Sequence, residues 1–247
     1  MKIFLLLMLS LSLWANIGNI MAIKGSANVE RGGSSLQASN GMELEKGDTI
    51  VTMKKSRVQI MLNDETVVTV GASSEFSFEE YFYDESKNSK LTMRANRGFF
   101  RSVTGEIGKV APERFKVKTA SATIGIRGTD FSGEIYEDRE IFKCYQGKIY
   151  IEFEGDSREV SAGMMAEILK NRVQLKEINK GELIKKKSDL KLLTIDAIGD
   201  TIIPTEVITD ITQIVEDENN EAVAEESDDV DTLNDPNIAT EDRQTEY

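Results

Sequence analysis

From residue 17 onward the apolar positions fall two apart in short runs, and each run ends in a cluster of turn-forming residues. Ile23, Gly25, Ala27 and Val29 share one parity, and Arg31-Gly32-Gly33-Ser34 closes the run. Gly47-Asp48 feeds the β-branched segment Thr49-Ile50-Val51-Thr52. Val58, Ile60 and Leu62 alternate inward, Asn63-Asp64-Glu65 turns, and residues 66–70 return. A residue period of two marks strands with one buried face, and polar loops of this length mark hairpins. Residues 73–83 carry Phe76 and Phe78 on one face, 84–90 form a polar loop, and Leu91, Met93 and Ala95 begin another strand. Gly98-Phe99-Phe100-Arg101 follows, and residues 105–112 read as a turn-rich connector.

The stretch 115–131, FKVKTASATIGIRGTDF, is the centre of the pattern. Phe115 and Val117 share a face, but after Thr119 the parity changes, and Ala120, Ala122, Ile124 and Ile126 fall together. One regular strand cannot do this, so a bulge or bend is expected near Thr119. Arg127-Gly128-Thr129 then interrupts the run. It reads as a turn in which Gly128 takes a conformation other residues resist and Arg127 pairs with a carboxylate.

Two further hairpins follow, turning at Glu137-Asp138-Arg139 and Glu154-Gly155-Asp156. Ala162-Gly163 leads to Met164, Ala166 and Ile168, and Lys170-Asn171-Arg172 turns into Val173 and Leu175. Short strands with turns every 8–12 residues make an all-β fold. The expectation is stacked hairpins over residues 17–175, in a two-sheet sandwich-like or short solenoid-like arrangement. Residues 176–215 are expected to be a weakly structured linker, with a short Lys-rich helix within 179–193. Residues 216–247 are expected to be disordered, because they are acidic with few large apolar residues.

The start of the chain breaks the β pattern. Residues 1–15, MKIFLLLMLSLSLWA, place one lysine before an apolar run that ends in a small residue. This is a secretory signal peptide by its charge and length, too short for a spanning helix. No second apolar stretch of spanning length occurs, so the mature chain is expected to lie in the periplasm, be secreted, or sit at the cell surface, with no stable membrane span.

Charge and composition narrow the chemistry. The formal net charge is −13, and residues 216–247 hold thirteen Asp or Glu against one Arg, so the rest is nearly neutral. A neutral body gives no basic surface for nucleic acid. There is no histidine, which removes Ser-His-Asp and Cys-His catalysis and His-ligated metals. The single cysteine, Cys144, reads as a small buried hydrophobe with nothing to activate it. Asp228-Asp229-Val230-Asp231 lacks the spacing of a calcium loop and reads as a solvated acidic run. No metal or cofactor is expected.

The order of these features resembles the FecR domain family. The family pattern Gly-x5-Gly-Asp-x-Ile-x-Thr is matched by Gly41, Gly47, Asp48, Ile50 and Thr52. Its alternating strand ending in Asp-Gly-Ser/Thr is matched by Ser56, Val58, Ile60, Leu62, Asp64 and Thr66, with Glu65 replacing the glycine. Phe115, Val117, Thr119, Ala122, Arg127, Gly128, Thr129 and Phe131 match the central segment, with Ala120 replacing a proline. Gly147, Ile149, Ile151 and Gly163 match the closing strand and its later glycine. The resemblance implies a β-rich exported module. In the family's best-known members this module belongs to a membrane-anchored regulator that relays a signal from an outer-membrane iron-siderophore receptor to a sigma factor. Here a signal peptide stands where those members carry a cytoplasmic segment, so the sigma-factor role is not carried over.

Three functions follow for weighing. The leading expectation is a non-catalytic module that binds another envelope or surface protein, for instance by accepting a strand at an exposed sheet edge. Binding of a glycan or other envelope polymer is an alternative, with Tyr81, Phe82 and Tyr83 as candidate aromatics, although Tyr81 and Tyr83 should share a face and Phe82 the other. A histidine-free hydrolase would have to use Asp48, Asp64 or Asp130, and turn aspartates more commonly cap backbone amides. No catalytic residue is expected.

Overall fold

The computed structural model describes residues 16–170, 172–179 and 181. The signal peptide expected over 1–15, the helix expected within 179–193, nearly all of the linker expected over 176–215, the acidic segment 216–247 and its Asp228–Asp231 run lie outside the described residues.

In chain order the strands are β1 (Asn16–Lys24), β2 (Ala27–Arg31), β3 (Ser34–Gln37), β4 (Glu43–Glu45) and β5 (Thr49–Thr52). Next come β6 (Arg57–Leu62), β7 (Val67–Val70), β8 (Glu75–Phe82) and β9 (Lys90–Val103). A single-turn helix, α1 (Glu106–Val110), and a 3-10 turn (Pro112–Arg114) precede β10 (Phe115–Lys118) and β11 (Ala122–Ile135). β12 (Arg139–Phe153), β13 (Asp156–Ser161), β14 (Met164–Leu169) and β15 (Arg172–Glu177) complete the fold. The all-β expectation holds. The connector expected over 105–112 instead contains a short helix, because Glu106, Ile107 and Lys109 are adequate helix formers once their amides find acceptors.

All fifteen strands join one hydrogen-bonded sheet, ordered β15-β14-β12-β11-β10-β9-β7-β6-β1-β4, with β13 on β12 and a branch β9-β8-β5-β2-β3. Three long strands make this possible by serving different partners with their two halves. The first half of β9 pairs with β8 and, in parallel, with β10; its second half pairs with β7 and β11. β11 pairs first with β10 and then with β9, and both halves pair with β12. β12 takes β14 along its first half and β13 along its second. Hairpins are thus layered around one core. Phe76, Phe78, Phe100, Phe115, Phe131 and Phe142 are all fully buried there. The rings of Phe76, Phe100 and Phe131 meet in sequence at 5.3 and 5.8 Å, a spacing worth about 0.5–1.5 kcal/mol per pair beyond area burial.

Of the bulge or bend expected near Thr119, the structure has the bend, a tight turn between two strands. β10 ends at Lys118 and β11 runs back beside it, with Lys118 opposite Thr123 and Val117 opposite Ile124. The Thr119 N–H donates to the Ala122 carbonyl at 2.9 Å, and the Thr119 hydroxyl accepts from the Ala122 N–H at 3.0 Å. That hydroxyl also donates to buried Glu140 at 2.7 Å, tying the turn to β12.

The bulge lies instead at Arg127-Gly128-Thr129, inside β11. The register slips there, and the buried parity moves from Ala122, Ile124 and Ile126 to Thr129, Phe131 and Ile135. Gly128 has φ +56° and Gly147, across from it on β12, has φ +72°. A Cβ on Gly147 would sit 1.9 Å from the Gly128 carbonyl oxygen, so the two backbones touch where both long strands change partners.

Candidate interaction surface

The motif residues do not converge on one cleft. They fix turns and joints at separate places. The Asp48 carboxylate is buried and takes a two-pronged bond from Arg31, at 2.8 Å from Nε and 2.6 Å from Nη2. It also accepts the Glu45 N–H at 2.8 Å. Arg31 reaches Glu45 at 2.6 Å as well, and its pairing with Asp48 raises its pKa. The Gly47 N–H donates to the Phe78 carbonyl at 2.7 Å, and that of Gly41 to the Ile20 carbonyl at 2.8 Å. The Thr52 hydroxyl donates to the Gly71 carbonyl at 2.5 Å and accepts the Ser74 N–H at 2.9 Å.

Asp64 is the second buried carboxylate. It sits in the β6–β7 turn, where Glu65 takes φ +66° in the place the family gives to glycine. Its Oδ2 accepts from the Thr66 hydroxyl at 2.7 Å and the Ile107 N–H at 3.2 Å, and its carbonyl accepts the Glu106 N–H at 2.7 Å. This turn therefore satisfies the free amides that open α1. Burial raises the Asp64 pKa, with the hydrogen bonds opposing it. Tyr81 donates to Asp64 Oδ1 at 3.4 Å; burial, with the Asp64 charge adding to it, raises the Tyr81 pKa too. These acids hold backbone and neighbouring side chains. Among the described residues, no group of three His, Cys, Asp or Glu is placed to hold a metal ion.

Arg127 corrects the expectation set for it. It is exposed, pairs with no carboxylate among the described residues, and lies opposite Lys148 on β12. The bulge explains this, because the slip turns Asp130 toward β9. There Arg101 grips it at 2.8 Å from Nε and 2.5 Å from Nη2. The pair is nearly buried, at 11% and 14% exposed, and the guanidinium lies 4.8 Å over the Tyr145 ring. Burial works against the Arg101 charge, but Asp130 overcomes it and raises the pKa. Sequence alone missed Arg101 because its partner's parity depends on the slip. The Thr129 N–H donates to the Thr104 hydroxyl at 3.0 Å, and the Gly163 N–H to the Cys144 carbonyl at 2.9 Å.

The aromatic run divides as its parity requires. Tyr81 and Tyr83 pack against the core, and Phe82 alone is exposed, at 53%. Tyr81 and Tyr83 thus share the inward face and Phe82 takes the other, as strand parity requires. Cys144 is buried and its thiol pKa is pushed up to about 11, chiefly by burial.

The accessible feature with recognition chemistry is a sheet edge. Among the described residues β3 pairs with β2 alone, and all four of its residues are exposed. Arg31 pairs with Ser34 across Gly32 and Gly33, both at positive φ, and the Ala38 N–H donates to the opposing Ala27 carbonyl at 2.9 Å. In this register 31/34, 29/36 and 27/38 are the bonded pairs, so Ser35 and Gln37 turn their N–H and C=O groups outward. The strand has no charge, no proline and no bulge, the usual guards of an edge, and Leu36 is 38% exposed on it. β15, another edge, carries Arg172 and Lys176, with Lys176 bound to Glu167 at 2.5 Å.

The family model described as "FecR protein" matches residues 48–150. No curated protein matches the chain. Two crystal structures, at 1.65 and 2.50 Å resolution, of a protein named as a candidate anti-sigma factor from Parabacteroides distasonis are similar at 15% identity, with TM-scores of 0.45 and 0.46. Each match covers 55% of this chain and 62% of the solved one, so the chain spans under two thirds of those proteins. A structure named "Cell surface anchoring domain" matches 25% of this chain and 82% of its own at 29% identity and a TM-score of 0.24.

Proposed function

Since residues 48–150 are a domain of the FecR family, we propose that this protein is a non-catalytic, exported module that binds another envelope or surface protein by adding a partner strand to β3. Export rests on the signal sequence of residues 1–15, and a place in the periplasm or at the cell surface on the family resemblance. Among the described residues no helix is long and apolar enough to cross a membrane. The observation that carries the reading is the unguarded edge: outward amides at Ser35 and Gln37 with Leu36 beside them. Main-chain bonds would supply affinity there and the Leu36 side chain a contact for selection. β3 lies outside the stretch that matches the family, so the partner need not be one shared across it.

Ser35→Pro tests this. Proline deletes a donor that faces away from β2, so the β2–β3 ladder keeps its bonds. The full chain, captured with its bound proteins from a gently solubilised cell envelope, should retain a specific partner that the Ser35→Pro variant loses. Thermal unfolding of the variant should be unchanged. Retention of the same partner at the same yield would overturn strand addition at β3.

A further inference from the structure

A second surface, away from β3, carries unbalanced charge. β8, β9 and β10 frame an open cleft of about 390 Å³ lined by Glu80, Lys90, Thr92, Glu113, Arg114, Lys116 and Lys118. Four cations face two carboxylates. Lys90 is held by Glu80 at 2.7 Å, and Lys118 by Glu79 at 2.9 Å, with Arg94 also on Glu79. Arg114 and Lys116 have no ion pair among the described residues. Lys116 is half-buried, and its neighbours across both strands are uncharged: Thr92 on β9 and Gly125 on β11. With four cations against two carboxylates, and no ion pair on Lys116 or Arg114 among the described residues, the cleft keeps an excess of positive charge that an incoming anion would meet.

The spacing selects the anion. Lys116 and Lys118 lie two residues apart on β10, about 6.6 Å along the strand, and Arg114 precedes them from the 3-10 turn. An extended peptide with acidic residues at every second position repeats at the same interval. We infer that this cleft binds an extended acidic peptide segment of a partner protein, its carboxylates meeting Arg114 and Lys116 while Lys90 and Lys118 remain shared with Glu80 and Glu79. This goes beyond the strand-addition reading and does not depend on it.

Gly125 gives a clean control. A Cβ there meets nothing closer than the Tyr150 carbonyl oxygen at 4.0 Å, so a side chain can be started there without a clash. Gly125→Glu would set a carboxylate directly across from Lys116 and satisfy it internally. The experiment is a fluorescence anisotropy titration of the full chain with a labelled peptide of alternating glutamate and threonine. Saturable binding is expected, weakened by about tenfold in Lys116→Gln and in Gly125→Glu, restored in Lys116→Arg and unchanged in Ser35→Pro. Absence of saturable binding, or equal binding by wild type and Lys116→Gln, would overturn the inference. So would tighter, Lys116-dependent binding of inorganic polyphosphate or of phosphatidylglycerol vesicles, either of which would mark an anion site of another class.

Discussion

At the scale of single residues, the decisive contrast is between two arginines that sequence alone ranks the wrong way round. Arg127 sits in the motif yet is exposed beside Lys148; Arg101 lies outside it yet holds the nearly buried Asp130 with both prongs. Arg101→Ala should therefore destabilise by about 3 kcal/mol, since it strands a nearly buried carboxylate. Arg127→Ala should stay within about 0.5 kcal/mol of wild type, as surface substitutions do. Thermal melts of the two variants check this, and equal losses would contradict the assignment. Cys144 offers a second residue-level test. A buried thiol with a pKa near 11 should resist iodoacetamide in the native protein at mildly alkaline pH and react only after unfolding. What was legible here followed composition: the burial of Cys144 and the inward tyrosines came from strand parity. What was not legible depended on the slip at Gly128, which no local spacing announces.

At the scale of elements, the hairpins were readable because turn chemistry and alternation agree at Asn63-Asp64-Glu65, Glu137-Asp138-Arg139 and Glu154-Gly155-Asp156. The unity of β12 was not. Its halves read as separate strands because Gly147 breaks the alternation, whereas in the fold it is the joint that lets one strand serve two partners. The joint predicts its own sensitivity. Gly147→Ala forces a Cβ against the Gly128 carbonyl and should lower the melting temperature far more than Gly163→Ala, where a Cβ meets nothing within 4 Å. Equal effects would mean that left-handed strain alone, and not the backbone contact, governs both. α1 escaped the sequence reading for a related reason: a five-residue helix has no periodicity to show, and its opening amides are met by Asp64, 42 residues before the helix begins to turn at Glu106.

At the scale of the whole molecule, carboxylates are used to hold strands together, and stability should follow their titration. Glu79 is opposed by partial burial, but Lys118 and Arg94 hold its pKa below the usual 4.5. Its contribution is present above that value and is lost as pH falls through the lower folded-state value. Asp64, raised by burial, works in the opposite sense: its contribution is present below the usual 3.8 and is lost as pH climbs through the raised value. The melting temperature should fall as pH drops below about 4.5, and Glu79→Gln should make that fall shallower. A steeper fall in the variant would reverse the sign argued for Glu79.

The general architecture was accessible from the chain because a β fold repeats its instruction at every strand. The interaction surface was not, because the openness of β3 is a property of which strand lacks a neighbour. Amide hydrogen exchange at Ser35 and Gln37, with and without the captured partner, addresses the central claim directly. In the free protein both amides should exchange as fast as exposed loops. With partner bound both should become protected while Leu36, already bonded to Val29, changes little. Protection confined to other parts of the molecule, with Ser35 and Gln37 still exchanging freely, would contradict a function based on strand addition at β3.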